Sequence, residues 1–358
     1  MKKNFTLLKQ LFATTFLLFF ITAFSFAQVV EVATNMNVPT DMVVDGNDMY
    51  VSEFGSGRIL KIDLTQTPPF TPVEIATGIS SCVSLALKGD DLYISQASGI
   101  SKIDLTQTPP IAATQVVSNL SNPIELVFNG DNLFFPENGA GKISMIDVTQ
   151  AQPTVVDVVT GLNAPYGIAL IGNELFFAEY GGGKIGKIDI TQTFPISNIT
   201  EVVSSVSSPA GIFRNGNELY ISEYSTGIIS KIDLTASLPT TTTEVLAGIN
   251  EPLQYALFES ELYLTHANST ISKFEITVSN NDPTPLTLEI FPNPTEGMLT
   301  LKGNNIDRIE IIDIYGRVLF SKKQPDSNID ISAFPNGIYF LKMTSGEQEI
   351  SKQIVKRK

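Results

Sequence analysis

Between Gly161 and Thr191 the chain reads GLNAPYGIALIGNELFFAEYGGGKIGKIDIT, and its alternation of apolar runs with turn residues predicts one small antiparallel unit. Ile168 to Leu170 runs into Gly172-Asn173, a hairpin signal, and Leu175 to Ala178 reads as the returning strand. Gly181 to Gly183 form a loop, and Lys184 to Ile190, with Ile185 and Ile188 apolar, form a third strand. A fourth strand comes from the Thr/Val-rich runs that join one unit to the next, such as Val73 to Ala76 and Thr200 to Val203. Four-stranded sheets recurring at this length are what propeller blades require.

The units can be counted by their closing motif, which begins at Ile62, Ile103, Ile146, Ile188, Ile232 and Phe274. Its acidic residues stand at 63, 104, 147, 189, 233 and 275, with spacings of 41, 43, 42, 44 and 42. Inner strands are predicted to begin near Thr40, Val83, Ile124, Tyr166, Ala210 and Leu253. Five outer strands lie between units, but after Ile276 the chain enters a polar, Pro-containing stretch, Thr277 to Pro285. The sixth outer strand is therefore expected to be Val29 to Thr34, pairing with the last blade so that no sheet edge is left at the seam. The expectation is a six-bladed β-propeller over residues 28–278, with a linker at 279–285.

The N terminus adds a destination. Lys2 and Lys3 precede an apolar run from Leu11 to Phe24, and Ser25-Phe26-Ala27 supplies small residues at a cleavage site, so residues 1–27 read as a secretory signal peptide. No later stretch is apolar and long enough to span a bilayer. One cysteine, Cys82, precludes an internal disulfide, and the absence of tryptophan removes the WD dipeptide of WD40 propellers. Cys82 replaces the inner-strand proline of its unit and reads as a small buried residue. Residues 28–285 contain 10 Lys plus Arg against 28 Asp plus Glu, a net of −18, which would repel a nucleic-acid backbone.

Motifs such as LFFAEYGGGKIGKID and LYISEYSTGIISKID resemble blades of the NHL-like and strictosidine-synthase-like propellers, also described as TolB-like, over residues 29–276. That family includes lactonases, lyases and many binding modules, and a shared fold does not choose among them. In such blades the loop entering the inner strand and the loop leaving the second strand share one face. Asp41, Glu125 and Gln254 are expected there, each two positions after a proline. Beside them come the second-strand ends Glu53, Gln96, Glu137, Glu179, Glu223 and His266, and the aromatics Phe54, Tyr166, Tyr180 and Tyr224. The glutamates could form a ligand-binding ring or a bond repeated within each blade. Gluconolactonase-like relatives carry metal ligands directly after the inner-strand proline, where this chain has Thr40, Ile124, Tyr166, Ala210 and Leu253. Streptogramin lyases, which the LFFAE segments also resemble, use a histidine base, and here the only histidine is His266, without an identifiable partner. One cysteine and one histidine make no Cys/His zinc site, and Asp45-Gly46-Asn47-Asp48 reads as a hairpin turn rather than a calcium loop, so no metal or cofactor is implied. The favoured expectation is a non-catalytic binding module for a protein, peptide or glycan, with an extracellular hydrolase or lyase as the alternative.

From Leu286 the alternation of apolar residues and the turns at Tyr315-Gly316, Pro335-Asn336-Gly337 and Ser345-Gly346 predict a small antiparallel β-sandwich. The whole chain is thus expected to be all-β, a six-bladed β-propeller with a C-terminal Ig-like β-sandwich. FPNPTEG, IYGRVL, DISAFPNGIYFLKM and the closing SKQIVKRK together resemble the type A C-terminal sorting domain of the type IX secretion system of Bacteroidota, over residues 286–358. Pro292, Asn293, Pro294, Gly297, Gly316, Arg317, Gly337, Tyr339 and Lys352 match its pattern, with the glycines expected at turns and the basic tail exposed. The resemblance implies the type IX machinery as a partner and, after Sec-type export to the periplasm, a secreted or outer-membrane surface location.

Overall fold

Residues 30–275 form six four-stranded antiparallel sheets in the computed structural model, which describes residues 29–276, 288–303, 308–313, 317–323, 325, 328–345 and 348–357. The expected signal peptide, linker and Gly316 lie outside the described residues. Blades 1 to 5 span residues 39–76, 85–118, 127–160, 165–204 and 209–246. Blade 6 combines residues 252–275 with Val30–Ala33, which pairs antiparallel with Thr270–Glu275 through Val30↔Lys273, Glu31↔Ser272 and Ala33↔Ile271.

The core is distributed between blades. Tyr50, Ile59 and Ile75 of blade 1 pack against Leu85, Leu92 and Ile94 of blade 2. Similar clusters fill each of the other joints, including the seam, where Val32, Tyr263 and Ile271 of blade 6 meet Met42, Met49 and Leu60 of blade 1. The sheets therefore close into a ring, a β-propeller. A second strand such as Glu174–Glu179 has a neighbouring sheet on either face, so Leu175, Phe176, Phe177 and Ala178 are all buried and the run needs no polar alternation. The first hairpins of blades 1 to 5 turn at glycines that hold positive φ, among them Gly172 at 58°, and in blade 6 Glu259 holds that place at 55°.

Two inner strands begin later than the pattern predicts, at Leu85 and Val127. In blade 3 the cause is Pro136 on the second strand: its carbonyl accepts the Ile124 N–H at 3.0 Å, but it has no N–H to return. In blade 2 the exchange with Ser95 is split between Val83 and Ser84, a local bulge.

Residues 288–356 form two further sheets. One holds Leu288–Phe291, Met298–Gly303 and Asn328–Asp330; the other holds Arg308–Asp313, Val318–Lys323, Gly337–Ser345 and Gln348–Lys356. Leu299, Leu301 and Ile329 of the first share one core with Ile309, Ile311, Leu341 and Ile354 of the second, which makes an Ig-like sandwich.

Candidate binding site

Each inner strand is entered through a non-glycine residue in the left-handed region: Val38, Ser81, Asn122, Ala164, Ser208 and Glu251, with φ between 47° and 55°. This recurrent twist turns a backbone carbonyl toward the end of the second strand. Val38 O accepts the N–H of Phe54 at 3.0 Å, Ala164 O that of Tyr180 at 3.1 Å, and Ser208 O that of Tyr224 at 3.2 Å. Three aromatic residues are thereby fixed by their backbones at equivalent places in blades 1, 4 and 5.

These aromatics border a depression of about 370 Å³ to which all six blades contribute, so it lies on the propeller axis. Thr40, Val83, Ile124, Tyr166 and Leu253, each directly after the inner-strand proline or Cys82, line it together with Phe54, Tyr180 and Tyr224. Ala210, the sixth such residue, does not. Tyr180 stands between two partners, with its ring centroid 5.8 Å from that of Tyr166 and 6.1 Å from that of Tyr224, at interplanar angles of 34° and 57°. Phe54, on the blade opposite blade 4, is 45% exposed. Burial holds the Tyr166 phenol well above its ordinary pKa, and the nearby Glu125 carboxyl pushes it the same way.

The glutamates at the second-strand ends do not join this lining. A ligand-facing ring of Glu53, Glu137, Glu179 and Glu223 is corrected by their geometry: all four are buried and bonded within their own blades. Each accepts the backbone N–H sixteen residues earlier, from Asn37, Ser121, Asn163 and Ser207, at 2.7–3.1 Å. A second partner lies a few residues on. It is Arg58 for Glu53, Ser144 for Glu137, Lys184 for Glu179 and Ser230 for Glu223. Burial alone would raise the Glu53 pKa, but hydrogen bonds from Ser56, Asn37 and Arg58 outweigh it and leave the carboxyl below its usual range.

His266 occupies the same position in blade 6 and does have partners, against the sequence expectation. Its Nδ1 donates to Asn250 O at 3.0 Å, because a carbonyl can only accept, and its Nε2 accepts from Ser272 Oγ at 2.6 Å. Burial lowers its pKa, in keeping with that neutral tautomer. Gln96 is the blade 2 member, donating to Ser80 O at 3.4 Å and accepting from Ser101 Oγ at 2.6 Å. The signal that identifies these pins is a hydroxyl or basic residue five to seven positions after the strand end in every blade.

One residue after each of Thr40, Val83, Ile124, Tyr166, Ala210 and Leu253 lies a second ring about the axis, of four polar residues, Asp41, Ser84, Glu125 and Gln254, and two glycines, Gly167 and Gly211. Asp41 Oδ2 accepts from Leu85 N at 2.8 Å and from Ser84 Oγ at 2.6 Å, while Oδ1 accepts from Met42 N at 2.7 Å. Ser84 Oγ accepts from Leu126 N at 3.1 Å, and Glu125 Oε2 from Ile168 N at 2.6 Å. The ring members contributed by blades 1 to 3 thus each satisfy an N–H at the start of the next blade. Gln254 Nε2 crosses the axis to donate to Glu125 Oε2 at 3.1 Å. The two glycines make this crossing fit: a Cβ at 167 would stand 3.2 Å from Glu125 Oε2, and one at 211 would stand 2.5 Å from Gln254 Oε1.

Burial pushes the Asp41 pKa up to about 6 despite its three bonds, and holds Glu125 well above the carboxylate range, with the Asp41 charge adding to the effect. Glu125 retains some accessible area but does not line the depression. Gln254 and Glu125 thus meet across the ring, with Asp41 near enough to raise the Glu125 pKa, and none of the three lines the depression.

A set of hydroxyls that sequence reasoning missed ties neighbouring blades together. Ser52 Oγ accepts from Asp41 N and donates to Val83 O, and Ser95 Oγ accepts from Ser84 N and donates to Ile124 O. Ser222 and Thr265 repeat the arrangement toward Leu253 O and Thr40 O. Blades 3 and 4 carry Pro136 and Ala178 at this position. Cys82 is buried, its thiol donating to Glu53 O at 3.1 Å, and burial pushes its pKa up to about 12, so it is packed rather than reactive. Among the described residues, no group of three or more His, Cys, Asp or Glu side chains is placed to hold a metal ion.

Residues 289–357 match a family described as the secretion system C-terminal sorting domain. The chain ends in a type IX sorting domain. The protein is accordingly secreted or held at the outer-membrane surface, and no helix among the described residues is long and apolar enough to cross a membrane. Within the sorting domain, the Asn293 side chain donates to Gln353 O and accepts from Val355 N, both at 2.8 Å, tying the FPNP segment, with Pro292 and Pro294, to the last strand. Gly297, at φ 151°, leaves no room for a Cβ, which would lie 2.4 Å from Ser332 Oγ. Arg317 pairs with Asp313 at 2.6 Å, and the Tyr339 hydroxyl donates to Pro335 O at 2.7 Å. Two expectations are corrected. Gly337 opens a strand and has no positive φ, and the basic tail is only partly exposed: Lys352 is exposed, but Lys356 is buried where its strand bridges to Thr295.

Solved structures similar to the chain include a catalytically inactive virginiamycin B lyase from Staphylococcus aureus, with a histidine replaced by alanine and with quinupristin. It is 17% identical at a TM-score of 0.51, covering 70% of this chain and 99% of that one. The PQQ-bound aldose sugar dehydrogenase of Streptomyces coelicolor is 18% identical at a TM-score of 0.54, covering 70% and 98%. A luciferin-regenerating enzyme is 14% identical at a TM-score of 0.55, covering 70% and 95%. At these identities the likeness is one of fold. A search of the curated proteins finds no match.

Proposed function

We propose that the propeller is a non-catalytic binding module of the NHL-like kind, exported through the type IX system. It engages a protein, peptide or glycan with the axial depression bordered by Phe54, Tyr166, Tyr180 and Tyr224. The observation that carries this reading is the character of the lining: no carboxylate, imidazole, thiol, ammonium or guanidinium belongs to it, and its tyrosine phenols at 166 and 224 are held above their ordinary pKa by burial. A surface of aromatic and aliphatic groups with few polar ones suits binding and offers no general base at neutral pH. The one histidine, which a lyase of the streptogramin type would need as base, has both ring nitrogens engaged inside its blade.

The alternative, a hydrolase or lyase, draws on Glu125, whose pKa is raised by burial and which adjoins the lining residue Ile124. The mature chain applied to glycan and peptide arrays should retain specific ligands, with retention lost in Tyr180→Ala. Glu179→Gln should lower stability rather than affinity. Turnover of a lactone or a streptogramin by the mature chain, abolished by Glu125→Gln with the fold intact, would replace the binding module with an enzyme.

A further inference from the structure

We infer that the axial depression recognises an organic cation, a quaternary or methylated ammonium group, held by the aromatic rings that border it and attracted by the acidic propeller around it. This rests on the binding-module reading and names the chemistry of its ligand. Aromatic residues stand on opposite sides of the depression, Tyr166, Tyr180 and Tyr224 on blades 4 and 5 and Phe54 on blade 1. The three tyrosine rings, tilted successively by 34° and 57°, make a curved wall rather than a flat platform. A cation within about 6 Å of several ring centroids is attracted by each ring quadrupole, most strongly where water is excluded.

The electrostatics select for the same charge. Among the described residues no basic side chain lines the depression, and Arg58 and Lys184, a few positions after Phe54 and Tyr180, are paired with Glu53 and Glu179. Asp41 and Glu125 adjoin the lining residues Thr40 and Ile124 in sequence, and Glu125 Oε2 would lie 3.2 Å from a Cβ at Gly167, the residue after Tyr166. The Asp41 charge, and the net of −18 across residues 28–285, favour a cation over a neutral guest. The lining offers few hydrogen-bond acceptors. An unsubstituted ammonium, which is strongly hydrated, would lose its water without replacement, whereas a methylated one carries little hydration to lose.

The test compares three probes on the full mature chain by titration calorimetry: choline, its neutral isostere 3,3-dimethylbutan-1-ol, and ethanolamine. Choline should bind at least about tenfold more tightly than either of the others, and Tyr180→Leu and Tyr224→Leu should each weaken it about tenfold. The melting temperature of each variant establishes that it folds, and the comparison of probes on the unaltered chain needs no variant. Equal binding of choline and the isostere would overturn the cation and leave an apolar binding site. Retention of a glycan or peptide, sensitive to Tyr180→Leu, without binding of choline would do the same. If no probe, glycan or peptide binds, the binding-module reading falls with it.

Discussion

Ser222→Ala should cost about 3 kcal/mol of stability. Ser222 is fully buried, and its Oγ accepts from Gly211 N at 2.7 Å and donates to Leu253 O at 2.6 Å, joining blade 5 to blade 6. Alanine fits the same space but leaves an N–H and a carbonyl buried without this partner, at about 1–3 kcal/mol for each unsatisfied group. Against a total stability of about 5–15 kcal/mol that is a large fraction. The reverse substitution is available one blade earlier. Ala178 holds the equivalent place, the pairing Pro165↔Glu179 matches Pro209↔Glu223, and a Cβ on Gly167 would meet Ala210 O at the same 2.2 Å that separates a Cβ on Gly211 from Leu253 O. Ala178→Ser should therefore find Gly167 N and Ala210 O in position and gain about 1 kcal/mol. Urea unfolding of the mature chain, followed by circular dichroism, measures both. A loss below about 0.5 kcal/mol for Ser222→Ala, or a loss above about 1 kcal/mol for Ala178→Ser, would show that the hydroxyls are not what joins these blades.

Deleting residues 29–34 should uncover Met42, Met49 and Leu60 and expose the blade 6 edge at residues 271–273, lowering the melting temperature and promoting oligomers in light scattering. A monomer with an unchanged melting temperature would refute ring closure by that strand. Asp41 gives a pH dependence of unusual sign. Its pKa rises from 3.8 to about 6 on folding, so the folded state binds more protons and stability falls as pH rises through that range, by on the order of 3 kcal/mol in all, levelling off about one unit above the folded pKa. Burial sets this value against the hydrogen bonds from Ser84 and from the N–H groups of Leu85 and Met42; the facing carboxyl of Glu125 is held by burial well above the carboxylate range. Denaturation midpoints across pH 4 to 6 should lose this component in Asp41→Asn, and an identical slope in the variant would assign it elsewhere.

What could be read from the sequence was whatever repeats. The hairpin glycines, the closing motif and the lack of a sixth outer strand after Ile276 are local signals, and they led to the four-stranded sheets and to Val30–Ala33 at the seam. The aromatic border was readable for the same reason, since Phe54, Tyr180 and Tyr224 each follow a strand-end glutamate. The direction of those glutamates was not. It depends on an N–H sixteen residues upstream, turned toward the carboxylate by the irregular backbone that enters each inner strand, which composition does not reveal. Recurrence would have helped: Ser101, Ser144, Ser230 and Ser272 are each the third residue of their third strand, and Arg58 and Lys184 are the first of theirs. No local pattern could have paired Gln254 with Glu125 across 129 positions, because only closure of the ring brings them together.

The seam also imposes an order in time. A chain made or threaded across a membrane emerges N-terminus first, so Val30–Ala33 is among the first parts of the propeller to appear and its partners at 271–273 among the last. Until then the early blades have one flank unshielded and the first strand has nothing to pair with. Closure is a contact between the two ends of the propeller, the slowest kind to form, and it waits for the whole ring to be delivered. The sorting domain follows only after that, so the propeller has the parts it needs to shut before the signal that dispatches it is complete.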